Sequence, residues 1–220
     1  MVPAHAPLHD EIRQYYSLNE RVYTKFARFY DLVVSPFKRL RRGVVSITGA
    51  APRSKVLDVA TGTGEQACAF AADGHHVIGL DISDPMLERA RRKARAGNPH
   101  FVHGDATRLP YGDGEFDATC VSFALHEMPP TIREQTLREM VRVTKAGGKV
   151  VVADYGLPTS ALGAAVIFRA VRLYEPDPYA EFVRTDLRRE LEQIGIRIEQ
   201  QHAAILGAVR IVVGTKVPRE

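Results

Sequence analysis

Two glycines lie close together in VLDVATGTGEQA, residues 56–67, which reads as a strand, a tight turn and the start of a helix. Gly62 and Gly64 would let the backbone approach a ligand closely, because a Cβ at either position would collide with it. The helix start at Glu65 would add free N–H groups and partial positive charge. The spacing to Ala67 also fits the dinucleotide fingerprint GxGxxG/A. The segment therefore predicts a nucleotide-like ligand without deciding which one.

Three carboxylates at the ends of successive predicted strands narrow that choice. Asp58, four residues before Gly62, would repel a pyrophosphate and attract a ligand with an ammonium and a sulfonium, such as S-adenosylmethionine (SAM). Asp81 ends the second strand, where a carboxylate can accept both hydroxyls of a ribose, which NAD and SAM share. Asp105 ends the third strand and can accept from an adenine amino group, while the next backbone N–H donates to the ring. Together these acids favour SAM.

Each of these acids also has a plainer explanation. Asp58 could be a satisfied acid in the turn, Asp81 could cap the next helix, and Asp105 could form an Asx-turn. Three separate coincidences would be needed to explain all of them in this way, so a shared ligand is the better hypothesis.

Short apolar runs alternate with amphipathic stretches from Lys55 to Gly156, which predicts parallel strands joined by helical crossovers, with helices on both sheet faces. Ligands bind such sheets beyond the carboxyl ends of the strands. The tail predicts an antiparallel hairpin at the sheet edge. The predicted strands are 55–60, 76–81, 100–104, 116–123, 149–155, 197–205 and 207–217, and the predicted helices are 65–73, 83–96, 131–144 and 187–194.

Several stretches resemble the class I SAM-dependent methyltransferases: LDVATGTG, VIGLDISDPMLERAR and HGDATRLPYGDGEFDATCVSFALHEM. The tail GAVRIVVGTKV and the pair Tyr30-Asp31 are similar to the ubiquinone/menaquinone-biosynthesis methyltransferases. The resemblance is good from Lys55 to Asp154 and loose elsewhere. It implies a Rossmann-like α/β fold, with a seven-stranded, mostly parallel sheet, an antiparallel last strand and helices on both faces.

The resemblance also implies a role for each matching position. Adenine would pack on Ile82 and Met86 and hydrogen-bond to Asp105 and Ala106, and Phe123 would lie beside the reacting sulfur. The glycine turn would follow the methionine part of SAM, and S-adenosylhomocysteine would be the product. The full set of expected cofactor-binding residues is Asp58, Ala60, Gly62, Gly64, Asp81, Ile82, Met86, Asp105, Ala106 and Phe123.

One histidine is a candidate general base. Methyl transfer mostly needs alignment and desolvation, and a base is required only when the acceptor loses a proton. His126 follows the fourth strand, where an acceptor would meet the methyl group, and histidine suits proton transfer near neutrality. It could instead be a wall of the cofactor site. Glu127 could orient it or cap a helix, Asp154 and Tyr155 are weaker candidates, and no spacing of His, Cys or Asp suggests a metal.

Residues 1–50 are predicted to form a helical lid or substrate-contact segment, and residues 51–220 the SAM-binding domain. Within the first segment, residues 35–47 are predicted to form an amphipathic helix, with four apolar residues on one face and cations off it. Such a helix could contact a membrane surface or pack on the domain as a lid. Four tyrosines could close over SAM, stack on an aromatic acceptor or serve in packing: Tyr15, Tyr16, Tyr23 and Tyr30.

Residues 159–174 are apolar nearly all round, so burial is expected, in a lid, a homodimer contact or an apolar pocket. Together with the N-terminal segment, this favours a small apolar or aromatic acceptor: a quinone precursor, a lipid or another natural product. Two cysteines without CxxC spacing and an N-terminus without a signal pattern favour the cytoplasm, with peripheral membrane contact through 35–47 as an addition.

Three other functions compete with small-molecule methylation. An NAD-dependent reductase would have no use for Asp58 and Asp105. An RNA methyltransferase would use the net charge of +4, all of it in residues 1–50, where eight Lys/Arg face four Asp/Glu. That patch is weak for nucleic acid, and the sequence FALH after strand four lacks an Asn-Pro-Pro-Tyr-type motif. A non-catalytic SAM-binding regulatory module remains an alternative.

Overall fold

The computed structural model describes residues 38–94, 98–172 and 177–218. Seven strands and seven α-helices lie in these ranges, with two short 3-10 helices at Leu125–Glu127 and Ile205–Gly207. The strands are β1 Lys55–Val59, β2 His76–Asp81, β3 His100–His103, β4 Phe116–Ser122, β5 Thr144–Tyr155, β6 Ile196–Ala204 and β7 Val209–Lys216. The helices are α1 Lys38–Thr48, α2 Glu65–Ala72, α3 Asp84–Lys93, α4 Pro130–Val143, α5 Ala161–Arg172, α6 Asp177–Phe182 and α7 Leu187–Gln193.

The strands form one sheet in the order β3-β2-β1-β4-β5-β7-β6. All neighbours from β3 to β5 are parallel, whereas β7 runs antiparallel to both β5 and β6. This confirms the predicted seven-stranded sheet and its terminal hairpin. Strand order reverses between β1 and β4, so a crevice opens beyond the carboxyl ends of these two strands.

The two faces of the sheet carry separate apolar cores, because side chains alternate along each strand. Leu57 and Val59 belong to the cluster covered by α4, α6 and α7. Val56 belongs to the cluster covered by α1, α2 and α3. Asp58 alternates with Leu57 and Val59, so its side chain lies on the same face as Val56, beneath the N-terminal helices.

Helix α1 uses its apolar residues to pack on the domain. Val44 and Val45 are buried, and the helix contacts α2, β5 and β7. Apolar side chains that are buried against the sheet cannot also enter a membrane. Of the two alternatives for this helix, membrane contact or packing on the domain, these residues therefore follow the second. Residues 35–37 and the four N-terminal tyrosines lie outside the described residues, and the predicted role of residues 1–50 stays a prediction.

Helix α5 does not follow the expected burial. Val171 is its only buried residue, and Leu162 is 79% exposed. The apolarity of residues 159–174 predicted burial in a lid, a homodimer contact or an apolar pocket, whereas within the domain most of this helix is exposed on the outside. None of the described helices is long and apolar enough to span a bilayer.

Candidate active site

The turn after β1 is anchored to the neighbouring strand. Thr61 N–H donates to the Leu80 carbonyl (3.0 Å), and Gly64 N–H donates to the Thr61 carbonyl (2.9 Å). Helix α2 starts at the next residue, with Gly64 as its N-cap in the left-handed region. The backbone amides at this helix start therefore lie at the crevice, as the sequence predicted.

The two glycines of this turn have different functions in the structure. Both have positive φ, +54° at Gly62 and +78° at Gly64. A Cβ on Gly64 would lie 2.5 Å from Phe101 Cζ and 2.9 Å from Ala90 Cβ, whereas a Cβ on Gly62 would meet no protein atom within 4 Å. The absent side chain of Gly64 thus makes room for the protein's own packing, which differs from the reason predicted. Gly62 borders open space at the crevice.

Asp81 joins the tip of β2 to the glycine turn. Its Oδ2 accepts from Gly62 N–H (2.7 Å), and its Oδ1 accepts from Ser83 N–H (2.9 Å). Burial raises the pKa of Asp81, and these backbone donors oppose that shift. The side chain of Ser83, the N-cap residue of α3, makes no cap hydrogen bond. Asp81 instead accepts a backbone hydrogen bond at the start of α3. Its carboxylate is thereby fixed where β2 meets the crevice.

Asp58 is a buried acid at the end of β1. It is 1% exposed, and its Oδ2 accepts from the Thr61 hydroxyl. Burial raises the pKa of Asp58 to about 7, outweighing the lowering by that hydroxyl, the positive charge of Arg41 and the Ala67 amide. Oδ1 has no hydrogen-bond partner of normal geometry in the described part of the chain. A buried carboxylate oxygen in this condition is suited to a cationic neighbour.

The third acid forms the Asx-turn that was the plainer explanation for it. Asp105 Oδ1 accepts from the amide and the hydroxyl of Thr107, at 2.8 and 2.7 Å. Ala106 is buried next to it. The turn holds the carboxylate at the tip of β3, so the Asx-turn and a ligand contact are compatible. Of the predicted adenine-packing residues, Met86 is buried and Ile82 is half-buried.

Two side-chain-bearing residues adopt the left-handed region beside the crevice. Ala60 follows β1 with φ +51°, and Phe123 follows β4 with φ +54°. Such conformations cost about 1–3 kcal/mol each and concentrate at functional sites. β1 and β4 are adjacent, so both strained residues lie where strand order reverses. The sequence predicted both as cofactor-binding residues but carried no signal of their backbone conformation.

His126 forms a buried pair with Asp154. His126 Nδ1 lies 2.7 Å from Asp154 Oδ1, and both side chains are at most 3% exposed. Asp154 Oδ2 accepts from Leu125 N–H (2.9 Å), and Oδ1 also accepts from Tyr155 N–H (2.7 Å). The carboxylate therefore selects the tautomer with the proton on Nδ1 and makes Nε2 the basic nitrogen. Nε2 lies 3.6 Å from Glu127 Oε1.

A row of aromatic rings extends from this pair. The Tyr155 ring meets the His126 ring edge-on at 4.6 Å and the Phe123 ring at 5.7 Å. On the other side Tyr155 meets Tyr179 of α6 at 5.5 Å, and Tyr179 stacks on Phe168 of α5 at 6.0 Å. The rings form a continuous apolar wall from the tip of β4 to α5. In the described ranges, no group of three or more His, Cys, Asp or Glu side chains could hold a metal ion.

Comparison with known proteins agrees with this geometry. Residues 56–148 match the model of a family described as a methyltransferase domain. The demethylmenaquinone methyltransferase of Beutenbergia cavernae is 41% identical over 60% of this chain and 55% of its own length. An uncharacterized methyltransferase of Synechocystis is 31% identical over 87% of this chain and 89% of its own length. The chain belongs to the class I SAM-dependent methyltransferases. A SAM-dependent methyltransferase from Thermotoga maritima shares the fold, with a TM-score of 0.66 and 20% identity, over 92% of this chain and 99% of that one.

Membership in this family discards the NAD-dependent reductase hypothesis. The demethylmenaquinone methyltransferases are similar to this chain over part of their length. The chain spans about half the length of these curated relatives, 55% and 50% of the first two.

The residues present fit SAM. Gly62 leaves open space where a side chain would protrude. Asp58 Oδ1 is buried with no hydrogen-bond partner of normal geometry among the described residues, and SAM carries two positive charges that could neutralise such an oxygen. Asp81 is fixed at the tip of β2 by two backbone amides. These three features suit a cationic ligand with a ribose and give a pyrophosphate no advantage.

The two glycines allow a paired test of this methyltransferase. We expect Gly64→Ala to lose about 2–5 kcal/mol of stability, because the residue has positive φ and its Cβ would overlap Phe101. Gly62→Ala should lose only about 1–2 kcal/mol, from its backbone conformation, and should instead bind SAM weakly, because its Cβ would enter the ligand space. Thermal unfolding and SAM titration of both variants check this. Wild-type SAM affinity in Gly62→Ala, or equal destabilisation of the two, would contradict it.

Sequence reasoning underrated one residue of the site. Asp154 was a weaker candidate, yet it is the residue that holds the His126 ring and the loop after β4. Its position directly before the end of β5, next to β4 in the predicted sheet, was the available signal. Thr61, which hydrogen-bonds to Asp58, was part of the glycine motif but received no function of its own.

Proposed function

We propose that the protein transfers the methyl group of SAM to a small apolar or aromatic acceptor, with a quinone precursor as the first candidate. One observation carries this proposal: two features lie at the carboxyl ends of neighbouring parallel strands. The first is the set of residues suited to a cationic ligand, Asp58, Gly62 and Asp81, and the second is the buried pair of His126 and Asp154. The relatives named demethylmenaquinone methyltransferases support the acceptor class.

In this proposal the chain's own residues bind and orient the donor. Asp81 would accept the ribose hydroxyls, and Asp58 would face the positively charged end that passes Gly62. Asp105 and Ala106 would meet the adenine edge at the tip of β3. SAM supplies an electrophilic methyl group on a good, neutral leaving group. The protein therefore contributes mainly the alignment of donor and acceptor. The effective molarities of well-aligned reactants correspond to roughly 7–11 kcal/mol of the activation barrier.

His126 would take the proton that the acceptor loses. When a carbon of a quinol ring forms the new bond to the methyl group, the acceptor gives up one proton overall. His126 Nε2 can accept it, because Asp154 holds the other nitrogen as a donor and stabilises the imidazolium that forms. The aromatic wall of Tyr155 and Phe123 would exclude water from the same space.

Ligand binding to Asp81→Ala tests the donor site. We expect calorimetry to show binding of SAM and S-adenosylhomocysteine to the wild type and no binding of NADH. Asp81→Ala should weaken SAM binding by about 1.5–3 kcal/mol, because a ribose-gripping carboxylate is lost. Asp84→Ala is the matched control, since Asp84 is an exposed acid three residues further along the chain. Tight NADH binding, or unchanged SAM affinity in Asp81→Ala, would count against the assignment.

Turnover separates an enzyme from a regulatory module. We expect the protein to convert bound SAM to S-adenosylhomocysteine when reduced demethylmenaquinone is supplied. If the protein binds SAM but does not turn it over with any small-molecule extract, a regulatory SAM-binding module would be favoured. If it methylates RNA and no small molecule, an RNA methyltransferase would be favoured.

A further inference from the structure

Four large apolar side chains are exposed at one end of the domain. Leu162 and Val166 on α5 are 79% and 59% exposed, and Ile205 and Leu206 at the tip of the β6-β7 hairpin are 48% and 96% exposed. Single exposed apolar residues are ordinary, but a cluster of them marks an interaction surface. We call these four residues the apolar tip.

The two parts of the apolar tip are held together. Gly156 N–H donates to the Ala208 carbonyl (2.9 Å), which ties the segment before α5 to the hairpin. A Cβ on Gly207 would lie 2.9 Å from Pro158 Cα, so the hairpin turn packs directly on the chain that leads into α5. The pairing of Tyr155 with Val209 places this end of the hairpin at the carboxyl end of β5. The apolar tip therefore borders the edge of the sheet that carries the active site.

The hairpin turn is strained in a way that exposes its side chains. Ile205 and Leu206 have φ of +48° and +55°, a region that is rare for apolar residues and an outlier for β-branched ones. Glycine or asparagine is usual at such positions. This strained turn presents two apolar side chains to solvent, and backbone strain of this kind concentrates at functional sites.

Positive charge lies on the α5 side of this surface. Helix α5 contains no acidic residue and ends with Arg169 and Arg172. Arg184 packs its guanidinium over the Phe168 ring of α5, at 4.6 Å from the ring centroid. Arg169 and Arg184 are both exposed. Protruding apolar side chains beside arginines match an anionic lipid surface, where the apolar groups enter the headgroup region and the cations meet the lipid phosphates.

We propose that the apolar tip docks the protein on an anionic lipid bilayer. A second copy of the chain is a poorer occupant, because an isologous contact brings the same patch from both copies together and would oppose their arginines. The helix predicted to contact membranes, residues 35–47, has its buried residues Val44 and Val45 packed on the domain. Docking through α5 would put the bilayer beside Phe168 and Tyr179, at the outer end of the aromatic wall.

Vesicle sedimentation tests this proposal without any methyl transfer, so its failure is distinct from failure of the proposed function. We expect the full chain to bind vesicles of phosphatidylcholine mixed with phosphatidylglycerol, and to bind pure phosphatidylcholine much less. Leu162→Ser and Leu206→Ser should each weaken binding roughly tenfold, since each removes an apolar side chain from the lipid contact. Arg169→Gln should weaken it about fivefold.

Val217→Ser is the matched control. Val217 is 43% exposed and follows the end of β7 where Thr215 pairs with Lys149, at the opposite end of the β5–β7 pairing from Val209. Its variant should bind vesicles as the wild type does. Absence of vesicle binding, equal loss in all three apolar variants, or a vesicle-free dimer that Leu162→Ser and Leu206→Ser dissociate would overturn the proposal.

Discussion

Replacing His126 with glutamine should lower kcat by roughly 10²–10⁴-fold, the usual contribution of a positioned general base. SAM affinity should change little, because the carboxylates of β1, β2 and β3 that are proposed to bind the donor are untouched. The acid limb of the pH–rate profile, which reports protonation of the base, should disappear with the imidazole. Steady-state kinetics with reduced demethylmenaquinone and a separate SAM titration measure both effects. His76→Gln, an exposed histidine at the start of β2, is the control.

Asp154→Asn should lower kcat as well, although Asp154 is expected to touch neither donor nor acceptor. The loss of charge weakens the hold on Nδ1 and allows the ring to present the wrong tautomer. A purely structural contact between β5 and the loop after β4 gives a different result. Both variants would then unfold at lower temperature while the folded enzyme kept its kcat and its pH profile, and His126 would be a wall of the site.

Replacing Asp58 with asparagine should make ligand-free stability less dependent on pH and should abolish tight SAM binding. The pKa of Asp58 is raised from 3.8 to about 7 by burial. Its protonated form is therefore favoured in the folded state, and the stabilisation is complete below the unfolded pKa. Stability is lost as the pH rises toward 7, by at most about 1.4 kcal/mol per pH unit. Asparagine does not ionise, so this loss should be absent.

SAM should reverse the effect in the wild type. A cationic ligand favours the ionised carboxylate, so the dissociation constant of SAM should rise as the pH falls below 7, by up to about tenfold per pH unit. Thermal unfolding of wild type and variant across pH 5 to 8, with and without SAM, measures the pH dependence of both the stability and the SAM affinity. Parallel pH curves for the two proteins, or unchanged SAM affinity in Asp58→Asn, would contradict the prediction.

Asp117→Asn provides a control of opposite sign. Lys145 and the Lys55 amide lower the pKa of Asp117 at the start of β4. Its ionised form stabilises the fold, and this contribution is lost as the pH falls. Because this pKa lies below the ordinary value of 3.8, the stability difference between wild type and Asp117→Asn should stay constant from pH 5 to 8 and fall only in more acid solution. For Asp58→Asn the difference should shrink as the pH rises toward 7.

The sequence alone was enough for the sheet and for the positions at its edge. Alternation of apolar runs with amphipathic stretches is a local property, and the handedness of crossovers then leaves few topologies. Residues that end parallel strands must share one edge, so Asp58, Asp81 and Asp105 could be assigned to one crevice. The antiparallel hairpin followed from its short connection.

Other properties depend on partners that are distant along the chain, and only the folded structure shows them. Gly64 is required by Phe101 of β3, and His126 is held by Asp154, 28 residues away. Periodicity marks an apolar face but not what covers it, so α1 packs on the domain while the more apolar α5 faces solvent. The raised pKa of Asp58 likewise arises from burial beneath α1 and α2, because desolvation depends on all atoms around a charge rather than on its neighbours in sequence.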